Sequence, residues 1–328
     1  MQSKRINHLD LVAGLLILWM IYFDHLRSFC GVSYFIGYDA LKRLFYFFMA
    51  WFYFKSGMFY DEKRNARDVA MRDFHRFVVP FLIGCLIAMA IQALYLSLTG
   101  QFNVEYYITR NIIDIFNHGG ASWNVALWFL ISLYVVKLLY RFLSKYICNV
   151  LIALLSVTFS YLLYRMQIYR PAAIGNIPLG LFFYSFGVAL RSLQYNSTVF
   201  AWTFLSTVLI YVLGEIHYFS FRLNMVSEND MYFLVIYSCL CSIIVFDFLA
   251  RKIAPPTWLL YIGRNSMAFY VLHYPIGCLV CESGKLFMGL QSLELYIYVA
   301  VLTTIILLLS VMVIERNNYK YLNLIVGK

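Results

Sequence analysis

Charge is what this sequence has least of. Only 13% of its 328 residues are Asp, Glu, Lys or Arg, against roughly 25% in an ordinary soluble domain. That shortage excludes a water-soluble globular chain, since there is too little polar surface to cover one. Metal-type spacing is missing among the seven cysteines, which lie mostly within apolar runs. They read as small apolar fillers, and no metal is expected. No small-residue cleavage site follows the first apolar run, so that run is expected to remain as a helix rather than leave as a signal peptide. No internal repeat and no stretch suited to a separate soluble domain is evident, so residues 1–328 read as one transmembrane domain. What is present is apolar and aromatic. Hydrophobic residues make up 62% and aromatic residues 19%, with 28 Tyr and 29 Phe, and the mean hydropathy is +0.73. This is the composition of tightly packed membrane spans with interfacial aromatic belts. The net charge of +10 does not point to nucleic acid, because the basic residues fall mainly in loops, where they set topology.

The fold class is therefore an all-α integral membrane protein of about ten transmembrane helices. The expected spans are 9–29, 43–60, 76–98, 123–144, 147–164, 174–194, 199–216, 231–250, 257–281 and 293–314, each near the length a bilayer requires. The longest connection, 99–122, carries an apolar-polar pattern over 104–116 that suits a short helix lying on the membrane surface. With both termini placed in the cytoplasm, sixteen of the 26 basic residues fall inside, eight outside and two within spans, the bias that the positive-inside rule demands. Acidic residues such as Glu105, Asp114, Glu228 and Asp230 collect outside.

This orientation assigns depths to the polar groups. Asp24 and His25 end the first apolar run, and His273 lies in the outer half of the ninth span, so both histidines sit within one or two turns of the outer face. Ionisable residues inside a membrane are costly and mark candidate functional sites, and histidine is the side chain suited to moving a proton near neutral pH. Adjacent helix residues point about 100° apart, so Asp24 and His25 make no ready dyad; a plain interfacial hydrogen-bonding role is the competing interpretation. Lys55, Ser56, Arg264 and Asn265 lie at or below the midplane. They suit an anionic ligand from the inside, or lipid phosphates reached by snorkelling. His118 reads as a solvated loop residue, and Trp123 and Trp128 as interface anchors and core. Asp247 has basic partners available at the inner end of the eighth span.

Four stretches, in order, carry a resemblance. They are Phe47-Phe-Met-Ala-Trp-Phe-Tyr-Phe-Lys-Ser-Gly-Met-Phe, Arg76-Phe-Val-Val-Pro-Phe, Leu127-Trp-Phe-Leu, and Tyr261-Ile-Gly-Arg-Asn-Ser-Met-Ala-Phe-Tyr-Val-Leu-His-Tyr-Pro-Ile. Together they resemble the acyltransferase 3 family of membrane O-acyltransferases over essentially the whole chain. The resemblance implies transfer of an acyl group, often acetyl from acetyl-coenzyme A, to a hydroxyl of a surface glycan or lipid-linked sugar. It also implies a multi-pass protein of the cell inner (plasma) membrane, in contact with lipid and not with nucleic acid. The family's first-span histidine falls on His25, which the residues themselves favour as general base; Asp24 is its chain neighbour, and His273 could orient the acceptor or serve as acid or base in its place. The inner groups Lys55, Ser56, Arg64, Arg72, Arg76, Arg264 and Asn265 become candidates for the coenzyme, whose phosphates favour cations. The family's first span carries an Arg at a fixed distance before its His. Here that position falls among Val12, Ala13 and Gly14, so the basic residue is absent, and the interval from Asp10 to His25 is about one residue longer than expected. Arg5 cannot stand in, since 20 helical residues cover about 30 Å. The competing classes are a transporter or flippase, which would show an inverted repeat with matched broken helices, and an inactive family member.

Overall fold

The computed structural model describes residues 6–32, 38–168, 170–191, 197–216, 221–222, 225–226 and 232–316. The chain ends, Glu228 and Asp230 lie outside the described residues. Thirteen main helices follow one another: α1 (Asn7–Phe29), α2 (Tyr38–Phe45), α3 (Phe48–Met58), α4 (Ala66–Leu98), α5 (Val104–His118), α6 (Trp128–Leu143), α7 (Asn149–Arg165), α8 (Ile177–Leu190), α9 (Ser197–Ile216), α10 (Tyr232–Lys252), α11 (Thr257–Arg264), α12 (Ser266–Met288) and α13 (Ser292–Arg316). Two short strands, β1 (Phe221–Arg222) and β2 (Met225–Val226), pair antiparallel in the connection before α10.

Each of the ten expected segments falls on helical chain. Among the described residues, six stretches are long and apolar enough to cross a membrane: Asn7–Phe29, Ala66–Leu98, Val104–Leu143, Ala172–Leu190, Tyr232–Lys252 and Ser292–Arg316. The others are shorter or broken. The segment expected at 43–60 divides into α2 and α3 around Phe47, and that at 257–281 into α11 and α12 at Asn265, where ψ is 18° instead of helical. Asn265 turns its side-chain amide back onto the Tyr261 carbonyl at 3.2 Å, the local bond by which Asn competes with helix propagation. The surface helix anticipated over 104–116 is α5. Its exposed face carries Tyr106, Ile112 and Phe116, while Asn111 and Asp114 turn inward.

Helix α1 is the hub. It packs against α3, α10, α11, α12 and α13. Glycines set its closest crossing. A Cβ on Gly263 would strike the Asp10 carbonyl oxygen, and one on Gly14 would strike that of Leu259, so α1 and α11 touch backbone to backbone. Gly57 of α3 and Gly187 of α8 make a second such crossing. These are small-residue helix contacts, the packing role expected where lipid offers no hydrophobic drive between helices. Large apolar residues such as Leu86, Leu94, Leu154, Leu205 and Val301 point outward, as a bilayer-facing surface requires.

Candidate active site

The site grows out of a departure from ideal helix in α1. From Trp19 to Leu26 the turns are π-helical, and the Arg27 N–H closes on the Tyr22 carbonyl, five residues back. A π turn holds one residue more than an α turn, and such segments are frequent at functional sites. The long interval from Asp10 to His25 is absorbed here. The segment is held from outside by α13: Tyr22 donates to Thr304 Oγ1 at 2.6 Å, and Tyr296 donates to the Tyr22 carbonyl at 3.2 Å.

Opposite it, α12 carries Pro275 inside the helix. Proline has no N–H, so the carbonyl four residues earlier, that of Val271, loses its helical partner. Asn124 supplies one, its Nδ2 donating to Val271 O at 2.8 Å. Asn124 belongs to a 3₁₀ stretch, Ser122–Leu127, that breaks regular helix at Trp123 and Asn124. Tyr270 of α12 donates its hydroxyl to the Ala126 carbonyl of the same stretch. Two hydrogen bonds thus dock 122–127 onto the turn that bears His273.

His25 and His273 meet directly, with His25 Nδ1 2.7 Å from His273 Nε2. Their tautomers follow from what surrounds them. His273 Nδ1 faces two helix carbonyls, Tyr270 O at 2.8 Å and Phe269 O at 3.1 Å. Carbonyls only accept, so Nδ1 carries the proton and Nε2 of the neutral ring is an acceptor. The His25 Nδ1–H therefore donates to His273 Nε2, and the basic lone pair of His25 rests on its Nε2. His273 is fully buried, while the His25 side chain keeps 21% of its exposure. Asp24 Oδ2 stands 3.7 Å from His25 Nε2, close enough to bias its charge but too far for a hydrogen bond. Tyr274 sets its ring edge-on against His25 at 5.2 Å between centroids.

His25 and Asp24 line a cavity of about 270 Å³, with Trp19, Ser28, Lys42, His118, Trp128, Tyr270 and Tyr274 among the other wall residues. His273 is not in the wall; it stands behind His25 and orients it. His118, expected as a plain loop residue, belongs to this wall. It donates Nδ1–H to Asp114 Oδ1 at 3.1 Å, and Arg110 Nε donates to Asp114 Oδ2 at 3.1 Å. Asp114 is only 2% exposed, so α5 presents an oriented imidazole to the same space as His25. The signal available in the sequence was the Asp114–His118 spacing of four, which places both on one helix face. Trp128, expected as interface or core, also lines the cavity.

The seven inner candidates fall into two groups. Lys55 Nζ pairs with Asp10 Oδ1 at 2.9 Å, and Arg264 Nη2 reaches Asn7 Oδ1 at 3.2 Å, so both meet the start of α1, beside Asn265. Ser56 follows Lys55 on α3 and is half-buried. Arg64, Arg72 and Arg76 lie instead at the entry to α4. Arg64 pairs with Asp61 at 3.1 Å, and Arg72 with Asp73 at 3.1 Å. Arg76 is exposed, its guanidinium 5.5 Å from the centre of the Phe77 ring. The backbone N–H of Lys63, with the Arg64 guanidinium, holds the Asp61 carboxyl below the usual carboxylate range. Two cations absent from the sequence-derived set join them. Lys137 Nζ lies 2.9 Å from Asp73 Oδ2, and Arg141 donates to the carbonyls of Asp61 and Arg64. A small hollow opens among Arg64, Arg72, Lys137, Arg141 and Tyr184. Asp247 takes Arg251 of its own helix at 2.8 Å and lies 3.3 Å from His8.

Comparison with curated proteins and with solved structures finds no match. A family model described as an acyltransferase domain matches residues 6–316. The match covers nearly the whole chain, including both histidine-bearing helices and the cavity between them, and the chain belongs to the acyltransferase 3 family.

Proposed function

We propose that this protein is a membrane O-acyltransferase that moves an acyl group, acetyl in the first instance, from acyl-coenzyme A to a hydroxyl of a surface glycan or lipid-linked sugar. The observation that carries this reading is the tautomer chain from the helix carbonyls through His273 to His25, which leaves a basic nitrogen on a ring that lines the cavity. His25 Nε2 takes the acceptor's hydroxyl proton as the oxygen attacks the thioester carbonyl. The C–S bond then breaks and the coenzyme leaves as thiolate. His273 is a positioning residue: it fixes the tautomer of His25 and accepts its N–H while positive charge develops. In the cavity, Trp19, Trp128 and Tyr274 would meet the apolar face of a sugar, and His118 and Lys42 its hydroxyls and the carbonyl oxygen.

Ten spans with both termini in the cytoplasm, in the plasma membrane, put this cavity at the outer face, where a glycan acceptor arrives. They put Lys55, Arg264 and the Arg64–Arg76 group at the inner face, where the coenzyme is found, supported by the two-to-one basic bias.

Membranes containing the full-length protein, given radiolabelled acetyl-coenzyme A and envelope material, test this. His25→Ala should lower acetyl transfer by about 10² to 10⁴, the usual cost of losing a general base. His273→Ala should cost less, because Nε2 survives in a loosened ring. Label in solvent-extractable material identifies a lipid-linked acceptor, and label in polymer a glycan. Full activity in correctly inserted His25→Ala overturns the mechanism, and the broken helices α2/α3 and α11/α12 then favour a transporter.

A further inference from the structure

One to two turns beyond the histidines, α1 and α12 meet again at a pair of cysteines. Cys30 caps the end of α1, and Cys281 lies on α12; they are 6% and 1% exposed. The Cys281 thiol donates to the Phe29 carbonyl at 3.3 Å. Cys30 is the residue directly after that carbonyl, so the two cysteines are neighbours across the helix contact. The helices are close here because Gly277 lets the backbone of α12 settle on Leu26 and Phe29. A third group completes the cluster. Lys285 lies one turn further along α12 and pairs with Glu282 at 2.8 Å. Its side chain remains 43% exposed. A cysteine serving only as apolar filler has no use for a lysine. An adjacent lysine and a second thiol are the surroundings in which cysteines undergo exchange.

We infer that Cys30 and Cys281 are a disulfide site that ties α1 to α12. The inference rests on the orientation proposed above, which places both at the extracytoplasmic ends of their helices, where disulfides form and persist. The chemistry is thiol–disulfide exchange with a disulfide of that compartment, RSSR. The Cys281 thiolate attacks one sulfur of RSSR, forming a mixed disulfide and releasing RS⁻. Cys30 then attacks the Cys281 sulfur, the protein S–S bond forms, and the second RS⁻ leaves. Two protein thiols are oxidised and RSSR is reduced to two RSH, which take up the two protons. The bond would clamp together the two helices whose histidines touch at 2.7 Å. Of the other thiols, Cys278 lies three residues before Cys281 on the same helix and is the rival partner for Cys30. Cys85, Cys239 and Cys241 are buried elsewhere in the bundle, and Cys148 is exposed beyond α6.

The test reads the linkage directly. Intact cells carrying the full-length wild-type protein are divided, one half treated with oxidised glutathione. Both are quenched in acid, denatured, alkylated with iodoacetamide and digested with trypsin without reduction. Peptides 28–42 and 265–285 should be found joined, with fragmentation assigning the bond to Cys281 rather than Cys278, and dithiothreitol should separate them. In Cys30→Ser, Cys281 should instead carry the alkyl group. Cys30 and Cys281 both alkylated and unlinked in both halves overturns the inference, as does a bond from Cys30 to Cys278. Wild type alone decides, so a variant that fails to fold does not matter. Cys148 separates the two readings. A membrane-impermeant maleimide should leave it unlabelled in intact cells. If it is labelled from outside, the orientation fails. If it is protected while Cys30 and Cys281 stay unlinked, the disulfide alone fails.

Discussion

The two ends of the bundle differ in where their buried polar chains end, although Asp114 at the cavity end is paired with Arg110 as the carboxylates of the other end are with their cations. At the end that holds the starts of α1 and α4 and the close of α10, each buried carboxylate has a cation: Asp10 has Lys55, Asp73 has Lys137 and Arg72, and Asp247 has Arg251. At the cavity end, the central contact is between two imidazoles, and the chain of donors terminates on helix carbonyls. The first arrangement is self-neutralising and holds helices together. The second places proton-accepting capacity at a cavity wall. The proposed chemistry uses the end where pairing ends in a base, and the other end ends in neutral ion pairs.

The comparison breaks first if the paired charges turn out to be dispensable. Asp73 is fully buried and Arg72 reaches only its Oδ1, so Lys137→Ala strands Oδ2 and should cost about 3 kcal/mol, the upper end for a buried acceptor left without its partner. Chemical denaturation in detergent would measure it, and the double variant Lys137→Met with Asp73→Asn should recover much of the loss. A Lys137→Ala protein as stable as its parent would remove the architectural reading of that cluster. Next in size is Asn124→Ala, which orphans the Val271 carbonyl left by Pro275. It should cost about 1–3 kcal/mol and lower acyl transfer by loosening the turn that bears His273. Unchanged melting and unchanged transfer together would show that the carbonyl finds another donor. Smallest is Arg264→Ala. It should raise the donor KM by about tenfold, or 1.4 kcal/mol, for one charge-assisted contact, without touching melting, since Arg264 is exposed. An unchanged donor KM would take Arg264 out of coenzyme binding and sharpen the view that inner cations serve structure.

Much of the fold was legible because length and apolarity are local properties. The described parts of all ten segments lie largely on helix, and His25 and His273 were brought together by their shared depth and by the family resemblance of the stretches that carry them. Their direct bond was not legible, because it needs the π segment in α1 and the proline in α12 to turn both rings to one line. The breaks at Phe47 and Asn265 were missed for a related reason: apolar runs cross them without change of composition. Pro275 did announce an unsatisfied carbonyl, but which neighbour would answer it depended on where 122–127 docks. His118 was misjudged because an isolated histidine in a polar connection looks the same whether it faces water or a cavity; only the fold of α5 against α4, through Asn111 and Gln92 at 3.0 Å, decides.

The π-helical run in α1 also makes the helix unequal in its tolerance of length errors. Shortening the chain by one residue between Asn7 and Leu18 would swing everything after it by about 100°, carrying His25 off its partner. Shortening it by one between Trp19 and Asp24 would let the wide turns close to ordinary α turns and leave the ring facing His273. The segment acts as a slack link, and single-residue deletions along α1 should therefore be silent in one half and fatal in the other.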